Sequence, residues 1–432
     1  MKPKVLVAGG GPSGFVAAIA AARGGAETTL VEAFGFPGGM ATAGLVGPIS
    51  KFNFRGRRVV GGIPWEFVGR LAAAGGAIVD LPKGNVPFEA ETYRRVAREM
   101  LEEAGVRCLW QSQVCGAPEL APDGSIAAVT LSTAGFLSRL EADAFIDCTA
   151  SGALVGHHGF GAFRSPKGAA QPLSLCFRLG GVDTEAARVV VRDDDERSAN
   201  TVLREALERV AAAGRIRAFG GPWAVWGSTI RPGFVSVNAT RATADVTDAA
   251  EVAAATARLR RDVPVIADAF READPAFRNA YVAQTAATVG FRECRELKAL
   301  HRVTAAEFLS GENPPDAIAI AAHPMDRHIP GTSAQSLEFL ERPGAIPLSA
   351  LVSDRCPNLL AAGGLVAAEP AAFASIRVQA QCMATGQAAG AAAAAAARNG
   401  TPVQDLDRAA IRRRLEEQGA ITAHHSGTVE IP

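Results

Sequence analysis

The chain carries no excess of either charge. Its 432 residues hold 44 Lys+Arg and 44 Asp+Glu. That balance removes the electrostatic case for nucleic acid or an anionic membrane surface as a partner. No stretch reaches the roughly 18 apolar residues of a membrane span. The most apolar run, "QAAGAAAAAAARNG" (387–400), is short and mostly alanine, as a packed helix would be. The seven cysteines are scattered and contain no C-x-x-C. This argues against a dithiol redox centre and against structural zinc, so no metal site is expected. Unpaired thiols fit a cytoplasmic protein. The opening "MKPKVLVAGGG" runs straight from a short apolar stretch into glycines, so no export signal is expected there. The size leaves room for two or three domains.

What is present begins at once. "KVLVAG" (4–9) is a continuous apolar run of strand length, suited to a parallel strand buried on both faces. Gly9, Gly11 and Gly14 then fit G-x-G-x-x-G. The first allows a tight turn, the second lets backbone approach a pyrophosphate, and the third lets the helix pack on the strand. "SGFVAAIAAARGG" reads as that helix, closed by Gly24–Gly25. "ETTLVE" reads as a second strand ending in Glu32, whose carboxylate can accept both hydroxyls of an adenosine ribose and would repel a 2′-phosphate.

Just past this acid comes a second glycine-rich loop, "AFGFPGGMATAGLVG" (33–47). An NAD site has no use for it. An FAD site does, because backbone must pass along the ribityl chain and beside the flavin ring. The last third points the same way. "NLLAAGG" reads as a buried strand, followed by a loop and a long small-residue helix starting near Arg377–Gln379. There the helix dipole can stabilise negative charge on a reduced flavin. Gly386 and Gly390 share one face of this helix and permit close packing. "FIDCTASG" (145–152) is another apolar strand ending in small residues.

Taken together, these stretches resemble FAD-dependent oxidoreductases with a glutathione-reductase-like fold. The narrower likeness is to a bacterial FAD-dependent oxidoreductase family distantly related to the flavoproteins of succinate dehydrogenase and fumarate reductase. "VPFEAETYRRVAREMLEEAGV", "VSVNATR", "VGFRECREL", "HPMDRHIP" and "SIRVQAQCMATGQAAG" extend the likeness almost end to end. The resemblance implies one FAD held without a covalent bond, since "FPGGMATAG" has Met40 and no histidine where covalent relatives attach the flavin. Motifs and resemblance together place cofactor contacts at Gly9, Gly11, Pro12, Ser13, Gly14, Glu32, Ala33, Gly38, Gly39, Met40, Ala41, Val114, Thr149, Ala150, Gly363, Gly364, Arg377 and Val378. The chain departs from the family pattern in two places. Ala150 stands where glycine is usual. Leu348 and Ser349 follow Ile346–Pro347 where an aromatic and a basic residue are usual, which would alter a pocket they lined.

The fold expected is α/β: a Rossmann-like FAD-binding domain with an inserted α+β substrate or cap domain. The FAD domain is discontinuous, 1–165 and 345–400. The insert spans 166–344, and 401–432 form a terminal helix and tail. There is no second G-x-G-x-x-G unit and hence no dedicated NAD(P) domain. The partners expected are a small-molecule substrate and an electron acceptor that the sequence does not identify. Association of identical chains stays open.

Flavin dehydrogenation needs a group to move a proton. "HPMDRH" offers His323, Asp326 and His328, two imidazoles near an orienting carboxylate. Arg292 and Arg295, three apart, would share a helix face if the segment is helical and could then clamp an anionic substrate, with salt bridges to Glu293, Glu296 or the cap domain as the alternative. Arg377 falls where the last long helix begins. Cys382 reads as a small buried hydrophobe rather than a reactive thiol. His157–His158 and His424–His425 read as surface or packing residues. The leading expectation is a dehydrogenase or reductase of a small organic substrate, with arginines placed to bind an anionic one. Beside it stand a flavin monooxygenase or halogenase, whose characteristic aspartate-glycine and Trp-rich segments are missing, and a non-catalytic flavin-binding protein.

Overall fold

The computed structural model describes residues 2–79, 84–190, 201–223 and 230–424. The chain opens with β1 (Lys4–Ala8), buried from Val5 onward as its apolar run requires. A turn leads into α1 (Pro12–Arg23), with Pro12 in its first turn, where a missing N–H costs nothing. Ser13 to Ala21 are all buried, so this helix is packed on every side. β2 (Glu27–Glu32) returns parallel to β1. After α2 (Ala90–Glu103) comes β3 (Arg107–Trp110), then a small antiparallel sheet between Ser112 and Glu141, then β4 (Ala144–Asp147). With the strand Leu359–Ala361 these form one parallel sheet, ordered Leu359–Ala361, β4, β1, β2, β3. The chain leaves β1 towards β2 on one side, while β4 lies on the other. Ligands bind at the carboxyl ends of strands at such a switch point.

The inserted region has its own antiparallel sheet, built from β5 (Phe177–Gly180), β6 (Phe219–Trp223), β7 (Val235–Thr240) and β8 (Tyr281–Thr285) in the order β6-β7-β5-β8. The helix Thr201–Ala212 and α3 (Ala249–Ala273) supply apolar side chains to its core. That core draws on residues from Leu173 to Val289, together with Leu45 and Ala90. The expected insert boundary at residue 344 is therefore not where the cores divide. Val303, Phe308, the strand Ala317–Ala321 and Met325 belong to the same core as α1. The reason lies in "AIAIA", a strand with every residue buried, paired with Gly344–Pro347. Leu348 is fully buried in that core too, which places it outside any pocket lining.

The chain then forms a hairpin of β9 (Met325–His328) and β10 (Gln335–Glu338). It ends with α4 (Pro370–Ile376), α5 (Gln379–Asn399) and a short helix, Arg408–Glu417. A Cβ on Gly386 would lie 2.1 Å from the Ser13 carbonyl oxygen, and one on Gly390 2.2 Å from that of Ala17. Only glycine at both positions lets α5 lie against α1. The tail containing His425 lies outside the described residues. Among the described residues no helix is long and apolar enough to cross a membrane.

Candidate active site

The first glycine turn is built by backbone. Gly9 takes φ +90° and its N–H donates to the Val31 carbonyl at 2.8 Å. A Cβ on Gly14 would sit 1.7 Å from the Gly9 oxygen, whereas one on Gly11 would meet nothing within 4 Å. Gly11 is also the N-cap of α1 and offers no side-chain cap, so the first N–H groups of the helix await an acceptor. Glu32 closes β2 buried. Its Oε2 accepts from Gly10 N–H at 2.6 Å and its Oε1 from Phe34 N–H at 2.7 Å. Burial raises its pKa against those hydrogen bonds. Each carboxylate oxygen keeps a further lone pair for a hydroxyl. Ala33, next in the chain, is exposed.

The second glycine loop lies directly against this turn. Gly38 N–H donates to the Gly10 carbonyl at 2.8 Å, and a Cβ on Gly39 would be 2.9 Å from the Gly11 Cα. Gly39, Met40 and Ala41 form a single 3₁₀ turn. From the other side the Gly363–Gly364 turn meets α1, since a Cβ on Gly363 would lie 2.5 Å from Ser13 Oγ. α5 starts at Gln379 with Val378 as an N-cap that makes no side-chain bond. Beside β4, buried Asp147 accepts from the N–H groups of Thr149, Leu154 and Val155. The Thr149 hydroxyl is committed to Asp147, Gly152 and Ala153, so its contribution to a ligand is backbone alone. Ala150 is exposed next to it, and Val114 is half-buried in the Ser112–Val114 strand.

Beyond Val378 lies a cluster of polar side chains. Strand alternation turns Asp326 and His328 inward on β9 and leaves Arg327 outside. Asp326 Oδ2 is 3.2 Å from His328 Nε2. Arg377 donates to the Asp326 carbonyl at 3.1 Å. Arg292 donates to the Pro172 carbonyl at 2.5 Å. Arg241 donates to His328 Nδ1 and to the carbonyls of Thr332 and Ala334. His323 donates from Nδ1 to the Pro324 carbonyl at 2.8 Å. Each guanidinium is thus held by carbonyls or an imidazole rather than by a carboxylate. Arg241 Nε, Arg377 Nε and Asp326 Oδ1 are buried with no partner at all.

Electrostatics follow from that arrangement. Burial lowers the pKa of all three guanidiniums, and that of Arg292 falls to about 9 with Arg377 and Arg241 adding to the effect. They remain charged near neutrality. Burial opposes ionisation of Asp326, yet the His328 bond and the nearby cations hold it below the usual carboxylate range. Burial, then Arg292, pushes His328 down to about 4. His323 is lowered as well, first by burial.

Comparison with known proteins decides the identity. The family model described as FAD dependent oxidoreductase matches residues 4–415. This chain belongs to that family. It is an FAD-dependent enzyme, and FAD is its cofactor. A search of curated sequences finds no match. Three solved structures are similar. A geranylgeranyl bacteriochlorophyll reductase-like protein from Thermoplasma acidophilum is 14% identical over 96% of this chain and 83% of its own, at a TM-score of 0.48. A flavin-dependent halogenase is 13% identical over 96% of this chain and 62% of its own, also at 0.48. A p-nitrophenol 4-monooxygenase from Pseudomonas putida is 14% identical over 98% of this chain and 87% of its own, at 0.47.

The residues present fit FAD. Two helix N-termini without side-chain caps, the open space at Gly11 and the spare lone pairs of Glu32 are the features a diphosphate, a flavin edge and a ribose require. Pro12, Ser13 and the Gly38–Ala41 turn line the same approach. One sequence expectation fails. Arg292 and Arg295 do not share a helix face, because the segment is extended and leads into the strand Arg295–Leu297. Arg295 instead donates to the Ser151 carbonyl at 2.7 Å and stacks over Phe163, away from the cluster. Arg241 and Gln171 join the cluster without having been singled out. Gln171 Oε1 accepts from the His328 N–H, and its Nε2 donates to Glu293. Cys382 is buried with its thiol pushed up to about 12, first by burial, so it is no thiolate.

The depressed His328 predicts a pH effect. A histidine kept neutral by folding adds stability above its unfolded pKa of about 6.5, and loses it as pH falls through about 4. The stability difference between wild type and His328→Gln is expected to shrink by roughly 3 kcal/mol from pH 7 to pH 4. Urea titrations across that range measure it, and a pH-independent difference would contradict the burial of a neutral ring.

Proposed function

We propose that this enzyme is a dehydrogenase or reductase acting on a small organic substrate with a carboxylate or comparable anionic group. One observation carries the reading: three guanidiniums withdrawn from water, Arg241 buried and Arg292 and Arg377 half-buried, face His328 beside the link that begins α5, and none has a carboxylate in hydrogen-bond contact. Buried charges are normally paired, so these await an anion. Bound FAD supplies the two-electron acceptor or donor. Arg292 and Arg377 hold and orient the substrate, Asp326 keeps the cations together, and a histidine moves the proton. The noncovalent FAD site rests on Glu32, Gly11 and the Val378–Gln379 helix start.

Purified holoenzyme tests this. Acid precipitation is expected to release intact FAD. Anaerobic titration with hydroxy acids, amino acids, polyols and amines is expected to bleach the flavin only with anionic members. Arg292→Gln and Arg377→Gln are each expected to raise the concentration required by about 10- to 100-fold, the worth of a charge-assisted hydrogen bond. Bleaching by uncharged polyols alone would refute the anionic assignment. Rapid NADPH oxidation with oxygen-atom incorporation would replace a dehydrogenase by a monooxygenase.

A further inference from the structure

The two histidines of the cluster are not equivalent. A guanidinium can only donate, so the nitrogen of His328 that faces Arg241 must carry the lone pair. The ring proton of His328 is then on Nε2, pointing at Asp326 Oδ2 at 3.2 Å. Both ring nitrogens are engaged. His323 is wired the other way. Its Nδ1–H is given to the Pro324 carbonyl, which puts the lone pair on Nε2. Its own carbonyl accepts from Ser375 Oγ, fixing the residue to α4.

We infer that His323 Nε2 is the proton-transferring group of this site, and that Arg241, through His328, is a positioning residue that keeps Asp326 ionised. The inference rests on the oxidoreductase reading above. Bound FAD would supply the two-electron acceptor for a substrate C–H oxidised beside an O–H or N–H. The remaining proton goes to His323 Nε2, and the resulting imidazolium returns it to solvent. No covalent bond to the protein forms. Reduction runs the same transfer backwards.

The charges around the two rings support the division. His328 faces Asp326 on its own strand, Arg241 from the end of β7, Arg292 from the segment before Arg295–Leu297, and Arg377 from the α4–α5 link. Three cations against one anion leave it no reason to take a second proton. At His323 burial is the largest effect and opposes protonation, as do Arg377 and Lys51, while the hydrogen bond to Pro324 and the charge of Asp326 favour it. The same carboxylate therefore serves two rings. Against His328 it fixes the Nε2–H tautomer while burial and Arg292 keep that ring neutral, and it stabilises charge on His323 through space.

Nitrogen-15 NMR of histidine-labelled holoenzyme tests the wiring without any substrate. His323→Gln and His328→Gln spectra assign the two rings. His328 is expected as the neutral Nε2–H tautomer from about pH 8 to about pH 5. His323 is expected as the Nδ1–H tautomer, with its Nε2 signal moving on titration. Arg241→Met is expected to release the His328 tautomer, while Arg241→Lys, still only a donor, retains it. Hairpin loosening would affect both variants alike, so the pair separates the two roles. Finding His328 as Nδ1–H, or as an imidazolium above about pH 5, would overturn the relay. With a reducing substrate from the titration, His323→Gln is expected to lower kcat by about 100- to 10,000-fold with KM changed far less. An unchanged kcat would overturn the proton assignment. If no compound bleaches the flavin, the oxidoreductase reading fails and the NMR outcome still stands by itself.

Discussion

Valine at Gly11 is expected to give a folded, colourless protein, and valine at Gly14 to give no folded protein. Both glycines belong to one motif, yet the structure loads them differently. At Gly11 the backbone has φ −64° and ψ −174°, extended values that valine adopts freely. A Cβ there meets no protein atom within 4 Å. The side chain would instead fill the space in front of the first N–H groups of α1. Losing two charge-assisted hydrogen bonds to a diphosphate costs about 100-fold or more in affinity. At Gly14 the obstacle is the Gly9 carbonyl oxygen, 1.7 Å from the new Cβ. That oxygen belongs to backbone pinned through Gly9 N–H to Val31, so nothing flexible can yield. α1 would have to leave β1 and, with it, α5. Thermal melts by circular dichroism and FAD titration of the apoprotein separate the two outcomes. Normal FAD affinity in Gly11→Val would remove the diphosphate from this turn.

This division also shows what was legible in the sequence. The β1–turn–α1–β2 unit was, because each element is fixed by residues within a few positions of itself. The same holds for the start of α5 near Arg377–Gln379 and for the glycine face that meets α1. Arg241 was not legible as a site residue. It reaches His328 across 87 positions, and nothing in "VSVNATR" announces which strand its side chain will meet. Arg292 and Arg295 show the opposite failure. Their spacing suits a helix, but the neighbouring Glu296–Leu297 pair buries against the Gly161–Phe163 strand, and that tertiary pairing sets an extended backbone. The insert boundary expected at residue 344 meets a related ambiguity. "AIAIA" is a buried strand in either domain, and only its partner Gly344–Pro347 says which.

Arg164→Met is expected to destabilise the protein by about 3–5 kcal/mol and to weaken FAD binding with it. The guanidinium side chain is fully buried and has four partners. It donates to Glu296 Oε2 at 2.8 Å and to the carbonyls of Gly364, Val366 and Ala368. Its carbon lies 3.5 Å above the centre of the Phe373 ring. Methionine would fill the volume but leave the Glu296 carboxylate facing an apolar chain and three carbonyls without donors. Lysine would keep the charge, yet one ammonium cannot follow a fork of carbonyl directions, so Arg164→Lys is expected to recover only part of the loss. Arg302→Met supplies the contrast. It touches the other oxygen of the same carboxylate at 2.9 Å, but its side chain is 45% exposed. Its loss should cost at most about 1 kcal/mol. The link to the cofactor is geometric. Arg164 holds the turn from Gly364 to Ala368, and Gly363 in that turn abuts Ser13 at the start of α1. A loosened turn frees the approach that FAD needs fixed, so the affinity lost in Arg164→Met should exceed that in Arg302→Met. Equal melting temperatures for the two variants would show that the buried fork adds nothing beyond an ordinary surface ion pair. The turn would then be held by α4 and α5 alone.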